Sequence, residues 1–406
     1  MLMWKLAFRN IFRQRRRSVL TALSMSGGYI LCVLSFSMTE GSYNNVIKIF
    51  TEDHTGHIQI HSEDYLTRPK IHKNISIDSD VENVIRNSKF VRNYTKRIFS
   101  PALAYSGQKN TQVRVVGIEP ELERNTSRLA DKVKEGVYFN NQQNSDGYYS
   151  AMIGVRAAKS LDLSIGDELI LISQGADGSI ANDIFLVGAI VGSKSSWDSS
   201  IVYLPLVAAS EFLTLYGKAH QYSIMLHNIR DVIDATESLK KALPQHSINP
   251  WMEVEETFYK TMQSDKEGNR FSMFIIVFIV FIGVLNTVLM SVLERTHEFG
   301  VLKAIGSRPQ TITFMILLET SLLAILSILV GIIAAIPLIL WFANVGLSFP
   351  EPVDVGGIAF QHMTGEFSLR VFLLPMLFIL SFAIVVAIFP GIRAARVLPT
   401  VAMRGN

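Results

Sequence analysis

His54, His57 and His61 lie close enough in sequence to raise a metal site, and Glu253, Glu255 and Glu256 are carboxylates of the kind that trade protons. Strand geometry removes the first reading. With Ile58 and Ile60 turned to a core, His57 and His61 share the opposite face about 13 Å apart, beyond the reach of one ion. They are expected as partly exposed strand histidines, and the glutamates as a solvated face. No Gly-Lys-Ser/Thr phosphate loop, Gly-x-Ser-x-Gly elbow or His-Glu-x-x-His helix occurs in the 406 residues. The expectation is no catalytic residue, no metal and no directly bound cofactor, with any ATP and Mg used by another polypeptide. The single cysteine, Cys32, sits in an apolar stretch and offers neither a disulfide framework nor a cysteine metal site. A formal net charge of +3 with locally clustered arginines leaves no nucleic-acid footprint spread over a domain.

Two features remain. Glu319 stands inside a long apolar run, where a carboxylate is expensive to bury, about one or two turns from the end of that run. It is expected to pair with a nearby arginine or reach interfacial water, with a role in transport as the alternative. The second feature is the stretch Met290–Gln310, in which Val301, Leu302 and Ile305 form a narrow apolar stripe at helical spacing. Glu298 and Lys303 lie off the stripe, and Gly306 is suited to end the helix. Such a helix can seat its stripe in a partner's cleft, or simply link two longer helices.

The elements that position these residues follow from hydropathy. With 49% hydrophobic and 18% charged residues and a mean hydropathy of +0.28, the chain is more apolar than an average soluble protein. Four stretches reach the roughly 20 apolar residues that cross a bilayer: Ser18–Met38, Phe271–Leu293, Ile312–Phe342 and Leu369–Phe389. The first carries Thr21, Ser24, Ser26, Gly27, Gly28, Ser35 and Ser37, which suit close helix packing better than contact with lipid all round. The third contains Pro337 and is long enough to be tilted, kinked or extended beyond the membrane. Basic residues precede the first span, but no small-residue cleavage site follows Met38, so a retained anchor is expected.

Lys5, Arg9, Arg13, Arg15, Arg16 and Arg17 precede span one; Arg295, Lys303 and Arg308 lie between spans two and three; Arg393, Arg396 and Arg404 follow span four. Basic flanks stay in the cytoplasm, so both termini are expected there. The resulting plan is an interfacial amphipathic helix over residues 1–17, spans over 18–39, 270–293, 311–343 and 369–390, and a large extracytoplasmic domain over 40–269. Residues 294–310 form a cytoplasmic helix, 344–368 an extracytoplasmic loop and 391–406 a cytoplasmic tail. Inside the large domain, His57–His61, Gln112–Val116, Glu168–Ile172 and Ile184–Gly188 read as strands between turn residues. Ala157–Leu161, Leu206–Leu215 and Val232–Leu243 read as helices. The fold class is membrane α-helical with four transmembrane helices and a large inserted α+β domain.

A resemblance now adds to these readings. Glu294-Arg-Thr-x-Glu-Phe-Gly-Val-Leu-Lys-Ala-Ile-Gly306 is similar to the coupling segment of ABC transporter permeases of the MacB and FtsX type. The opening Leu6-Ala-Phe-Arg-Asn-Ile-Phe-Arg-x-Arg-Arg-Arg-Ser18 and the closing Phe389-Pro-Gly-Ile-Arg-Ala-Ala-Arg-Val-Leu-Pro-Thr-Val-Ala-Met-Arg404 resemble that family's termini. Val116-Gly-Ile-Glu-Pro120 and Ile153-Gly-Val-Arg-Ala-Ala-Lys-Ser-Leu-Asp-Leu-Ser-Ile-Gly-Asp-Glu-Leu169 look like the lipoprotein-releasing LolC and LolE subgroup.

The resemblance implies a domain of the MacB core type in a bacterial inner membrane, and two copies of this chain, or this chain and a related paralogue, over an ATPase dimer. It assigns ATPase coupling to Glu294, Arg295, Glu298, Gly300, Val301, Leu302, Lys303, Ile305 and Gly306. Movement of the outer domains would then hand a lipoprotein cargo from the inner membrane to a periplasmic carrier. An apolar cleft for its acyl chains, or a surface for membrane lipid, is expected from Leu31, Leu34 and Met38 with Phe271, Phe274 and Phe278. The alternatives are MacB-like efflux of a peptide, toxin or antibiotic, and FtsX-like regulation of a cell-wall hydrolase.

Overall fold

In the computed structural model, the structure describes residues 9, 13, 15–77, 79–194, 196–355 and 358–397. The expected interfacial helix over residues 1–17 falls mostly outside them, as do residues 398–406 of the tail. Five helices carry the apolar stretches and the segment between them: α1 (Arg15–Phe50), α2 (Glu256–Glu294), α3 (Thr296–Ala304), α4 (Pro309–Asn344) and α5 (Leu369–Arg396). All but α3 are long and apolar enough to cross a membrane. At 1.5 Å per residue, the 36 residues of α1 and 39 of α2 run about 54–58 Å, well past a hydrocarbon core of about 30 Å. Pro337 lies inside α4, which continues to Asn344.

The chain divides into two compact units, one of residues 1–45, 262–349 and 362–406, the other of 46–261 and 350–361. In the helical unit, the small residues of α1 are contact points. A Cβ on Gly28 would lie 2.3 Å from Val280 Cγ2, and one on Gly331 would lie 2.7 Å from Tyr29 Cδ1. Gly41 faces backbone, with Thr364 O only 2.4 Å from where a Cβ would stand. Next to it, the Ser37 hydroxyl donates to Glu366 O at 2.9 Å. This is why the least hydrophobic span is also the best covered. Of its apolar window 39% is buried, against 11% for α2, so α2 presents the barest apolar surface.

The α/β unit holds, among its described residues, a sheet of ten strands. These are β1 (Ile58–Ser62), β2 (Val91–Ser106), β3 (Lys109–Ile118), β4 (Val133–Gly136), β5 (Ser150–Gly154), β6 (Glu168–Gln174), β7 (Ile180–Val191), β8 (Ile201–Pro205), β9 (Gln221–Leu226) and β10 (His246–Pro250). They follow the order β10-β1-β9-β2-β3-β8-β5-β7-β4, with β6 paired to β2 and β7. Two cores result. Helices Val155–Leu161 and Leu206–Phe212 cover β2, β3 and β5 to β8, while Ser79–Asn87 and Val232–Ala242 cover β1, β9 and β10. The long strand β2 contributes to both.

β1 corrects one expectation. It lies between β9 and β10, and both of its faces are covered. Hence His57 and His61 are as buried as Ile58 and Ile60, not partly exposed. The period-2 pattern was read for a strand with one wet face, and a central strand under two layers has none. Each ring is held by neighbours: His57 Nδ1 accepts the Leu226 N–H at 3.0 Å, and His61 Nε2 meets Gln221 Oε1 at 3.3 Å.

Burial, with Arg92 adding repulsion at His57, lowers the pKa of His57 to about 4; burial also lowers that of His61 to about 4, opposed by the Gln221 hydrogen bond. The folded state therefore binds fewer protons than the unfolded chain between about pH 4 and 6.5, and stability falls as pH drops through that window. Each histidine is expected to withdraw about 2–3 kcal/mol by pH 4. The check is the thermal midpoint of the α/β unit between pH 7 and pH 4.5. The decline should shrink in His61→Gln, which carries no titrating ring.

Candidate functional site

Helix α3 is short, and its end is built by a glycine. Ser307 N–H donates to Leu302 O at 3.0 Å and Gly306 N–H to Lys303 O at 2.9 Å, with Gly306 at φ 98°. This 6→1 and 5→2 pair needs the left-handed conformation that a side chain would strain. Pro309 then opens α4 at its first turn, where its missing N–H costs nothing.

One face of α3 is locked inward. Phe299 is 1% exposed and packs with Met25, Val288, Val292, Ile312 and Ile316. Arg295, buried just ahead of the helix, donates from Nη1 to Glu319 Oε2 at 2.9 Å and Oε1 at 3.2 Å, and from Nε to Glu298 Oε2 at 3.0 Å. Glu319 thus finds the arginine that its place in an apolar run requires. Glu298 also meets Arg13 Nη1 at 3.2 Å, with its side chain still 40% exposed. Lys303 Nζ donates to Ala395 O at 2.9 Å and Val397 O at 2.7 Å. It neutralises the last carbonyls of α5, where orphan acceptors and the helix dipole attract a cation. A cavity of about 50 Å³ lined by Thr21, Thr287, Ser291 and Thr320 adjoins Arg295 and Glu319, room for a water or two.

The other face points out. Leu302 is 36% and Ile305 79% exposed, with Val301 half-buried, Glu294 exposed and Gly300 buried. The stripe proposed from spacing is thus split, with Leu302 and Ile305 as its outward part. Phe299 was missed as the inward anchor, although its spacing of four from Arg295 and Lys303 puts all three on adjoining faces.

The six residues of the expected acyl cleft differ in burial. Leu31, Phe271, Phe274 and Phe278 are exposed, but Leu34 packs against the cluster of Tyr29, Val33, Ile328, Ala335, Ile339, Val371 and Ile379. Three residues on, it is turned about 60° from Leu31 around the helix, enough to face α4 and α5. Met38 is half-buried.

In the α/β unit, the end of α1 with the turn after it is bound to the start of α2 with the residue before it. Phe50 stacks on Phe258 with ring centres 4.3 Å apart, and His54 Nε2 lies 3.6 Å from Glu255 Oε1. Glu255 is therefore engaged rather than part of a plain solvated face. The turn Thr51–Thr55 that carries His54 is tied down by charge. Lys132 Nζ sits 3.2 Å from Asp53 and 2.7 Å from Asp198, and Asp198 also accepts from the Tyr203 hydroxyl. Arg97 Nη1 donates to His54 O at 2.6 Å, and the same guanidinium grips Glu123 through Nη2 at 2.7 Å and Nε at 3.2 Å. Thr95 adds a bond to Glu123 at 2.9 Å. Burial by itself would raise the Glu123 carboxyl; the charge and hydrogen bonds of Arg97 outweigh it and hold the pKa below the usual carboxylate range. Nothing in the local sequence around residues 53, 97, 123 or 132 signals this network.

Two family models match the chain. The MacB-like periplasmic core domain covers residues 18–242, more than half of it, and the FtsX-like permease C-terminal domain covers 270–398. The chain belongs to the MacB/FtsX-type ABC transporter permeases. Its α/β unit is accordingly the large extracytoplasmic domain of a membrane protein. Among curated relatives, the permease is 35% identical over 129 residues to the ABC transporter permease YtrF of Bacillus subtilis, covering 30% of this chain and 28% of that one. To the lipoprotein-releasing system transmembrane protein LolC of Xylella fastidiosa it is 21% identical, covering 73% and 74%. To the macrolide export ATP-binding/permease protein MacB of a Shewanella species it is 23% identical, covering 85% of the permease but 54% of that longer protein.

Proposed function

We propose that this permease couples ATP hydrolysis in a separate cytoplasmic ATPase dimer to movement of its extracytoplasmic domain, and that the movement releases lipoproteins from a bacterial inner membrane to a periplasmic carrier. The observation that carries the proposal is α3, which offers Leu302 and Ile305 outward while Phe299, Arg295 and Lys303 fasten its other face to the ends of the spans. An ATPase that closes on α3 pulls on α4 through Glu319 and on α5 through Lys303. Helices α1 and α2, bound together at Phe50–Phe258 and His54–Glu255, pass the displacement to the α/β unit. Both termini are cytoplasmic in this arrangement. A second copy of the chain, or a paralogue, covers part of the bare face of α2, with lipid on the rest.

Lipoprotein release is favoured by the LolC relative, which aligns over nearly three-quarters of both chains. Efflux is the second reading, because the MacB relative aligns over 85% of this chain. The test is reconstitution of the permease and its ATPase in proteoliposomes with a fluorescent triacylated lipoprotein and a soluble acceptor. ATP-dependent transfer to the acceptor is expected, with no ATP hydrolysis by the permease alone. ATP-driven export of a macrolide with no lipoprotein transfer would replace release by efflux.

A further inference from the structure

The α/β unit contains an open cleft of about 590 Å³ that meets the coupling path only at His54. Its walls come from the segment around Lys70, from β2 at Phe99, from β3 at Gln112 and Arg114, and from Trp197 with His54. That volume suits a ligand of drug size. Trp197 remains 44% exposed although it is the largest aromatic side chain, and its ring stacks on His54 with centres 4.6 Å apart and planes 18° from parallel. The pair makes a flat platform at the rim.

The charges are one-sided. Lys70 and Arg114 line the cleft, and no Asp or Glu does. Elsewhere in this unit Lys73, Lys96, Arg97, Lys109 and Lys132 each hold a carboxylate, while among the described residues surface cations such as Arg92 and Lys159 hold none. Among the described residues Lys70 and Arg114 hold none, and neither side chain donates a hydrogen bond. The Arg114 guanidinium lies over the Phe99 ring at 5.8 Å, which fixes its position while leaving its donors for a ligand. Two unpaired cations beside a stacked aromatic platform, with the exposed Gln112 to add a polar contact, recognise negative charge joined to a flat apolar group.

We propose that this cleft binds a small organic anion bearing an aromatic group, its carboxylate on Arg114 and Lys70 and its ring on Trp197. This site is independent of the coupling helix. A carboxylate held by a guanidinium is a charge-assisted bond, worth enough that losing it costs roughly tenfold in affinity.

The experiment is isothermal titration of the full chain in nanodiscs, corrected against empty discs, with three probes of one shape: 1-naphthaleneacetate, its neutral amide and the cationic 1-naphthylmethylamine. The acetate is expected to bind at least tenfold more tightly than the amide, and the amine more weakly still. Arg114→Gln should reduce acetate binding roughly tenfold and leave the amide nearly unchanged, while Trp197→Ala weakens both. Arg114 is exposed, so its replacement should leave the thermal midpoint in place; if that variant does not fold, Lys70→Gln carries the same charge test. Equal affinity for the three probes, acetate binding unchanged in Arg114→Gln or Lys70→Gln, or no acetate binding by about 10 mM would each overturn the proposal.

Discussion

Arg97→Met is expected to destabilise the α/β unit by about 3–5 kcal/mol, because it leaves the Glu123 carboxylate buried without its counter-charge. The guanidinium is 8% and the carboxylate 2% exposed as whole residues, so water cannot replace the lost partner. The substitution also removes the bond to His54 O, freeing the turn that follows α1. Arg97→Met combined with Glu123→Met should recover most of the loss, since a buried ion pair replaced by apolar side chains of similar volume is often close to neutral. Pulse proteolysis of the α/β unit in urea measures both variants. A single variant within 1 kcal/mol of the parent would show that the pair is not the anchor described. If stability returns in the double variant while ATP-driven movement does not, the His54 contact carries transmission rather than folding.

The second large effect is expected at α3. Leu302→Ala and Ile305→Ala remove the outward apolar surface of the helix and touch none of its inward ties. Truncating an anchor at an interface centre costs up to several kcal/mol, so the pair of changes should weaken ATPase binding by about a hundredfold or more. Folding should be nearly unaffected. Arg295→Met is the contrasting variant. It strands Glu319 and leaves Glu298 only Arg13, so it should lower the stability of the helical unit and uncouple ATP hydrolysis from transport even where the complex still forms. Co-purification yield, thermal midpoint and transport in proteoliposomes separate the two classes. Glu298→Lys belongs with Arg295→Met, since it sets a third cation beside Arg295 and Arg13.

Much of this was legible in the sequence where a local rule decides the outcome. Four apolar runs became four long helices because nothing but an internally bonded helix satisfies the backbone of such a run in lipid. Gly306 ended α3 because only a residue free of Cβ strain takes the left-handed turn there. Glu319 found Arg295 because an unpaired carboxylate inside a span is too costly to persist. What escaped was set by partners distant in sequence. Lys303 meets carbonyls more than ninety residues away, a contact that no local spacing encodes. His57 and His61 were misplaced because strand periodicity states which residues share a face, not whether a second layer covers the other face. Leu34 was misplaced because three residues on a helix face diverge by enough to reach different neighbours.

The central claim is that α3 is where an ATPase grips the permease. A photo-reactive amino acid placed at position 305, where the native isoleucine is 79% exposed, tests it directly in the assembled transporter. The account predicts an adduct with the ATPase subunit whose yield changes between nucleotide-free and ATP-bound states. A complex that hydrolyses ATP and transports normally while position 305 captures only lipid or its own chain would contradict it.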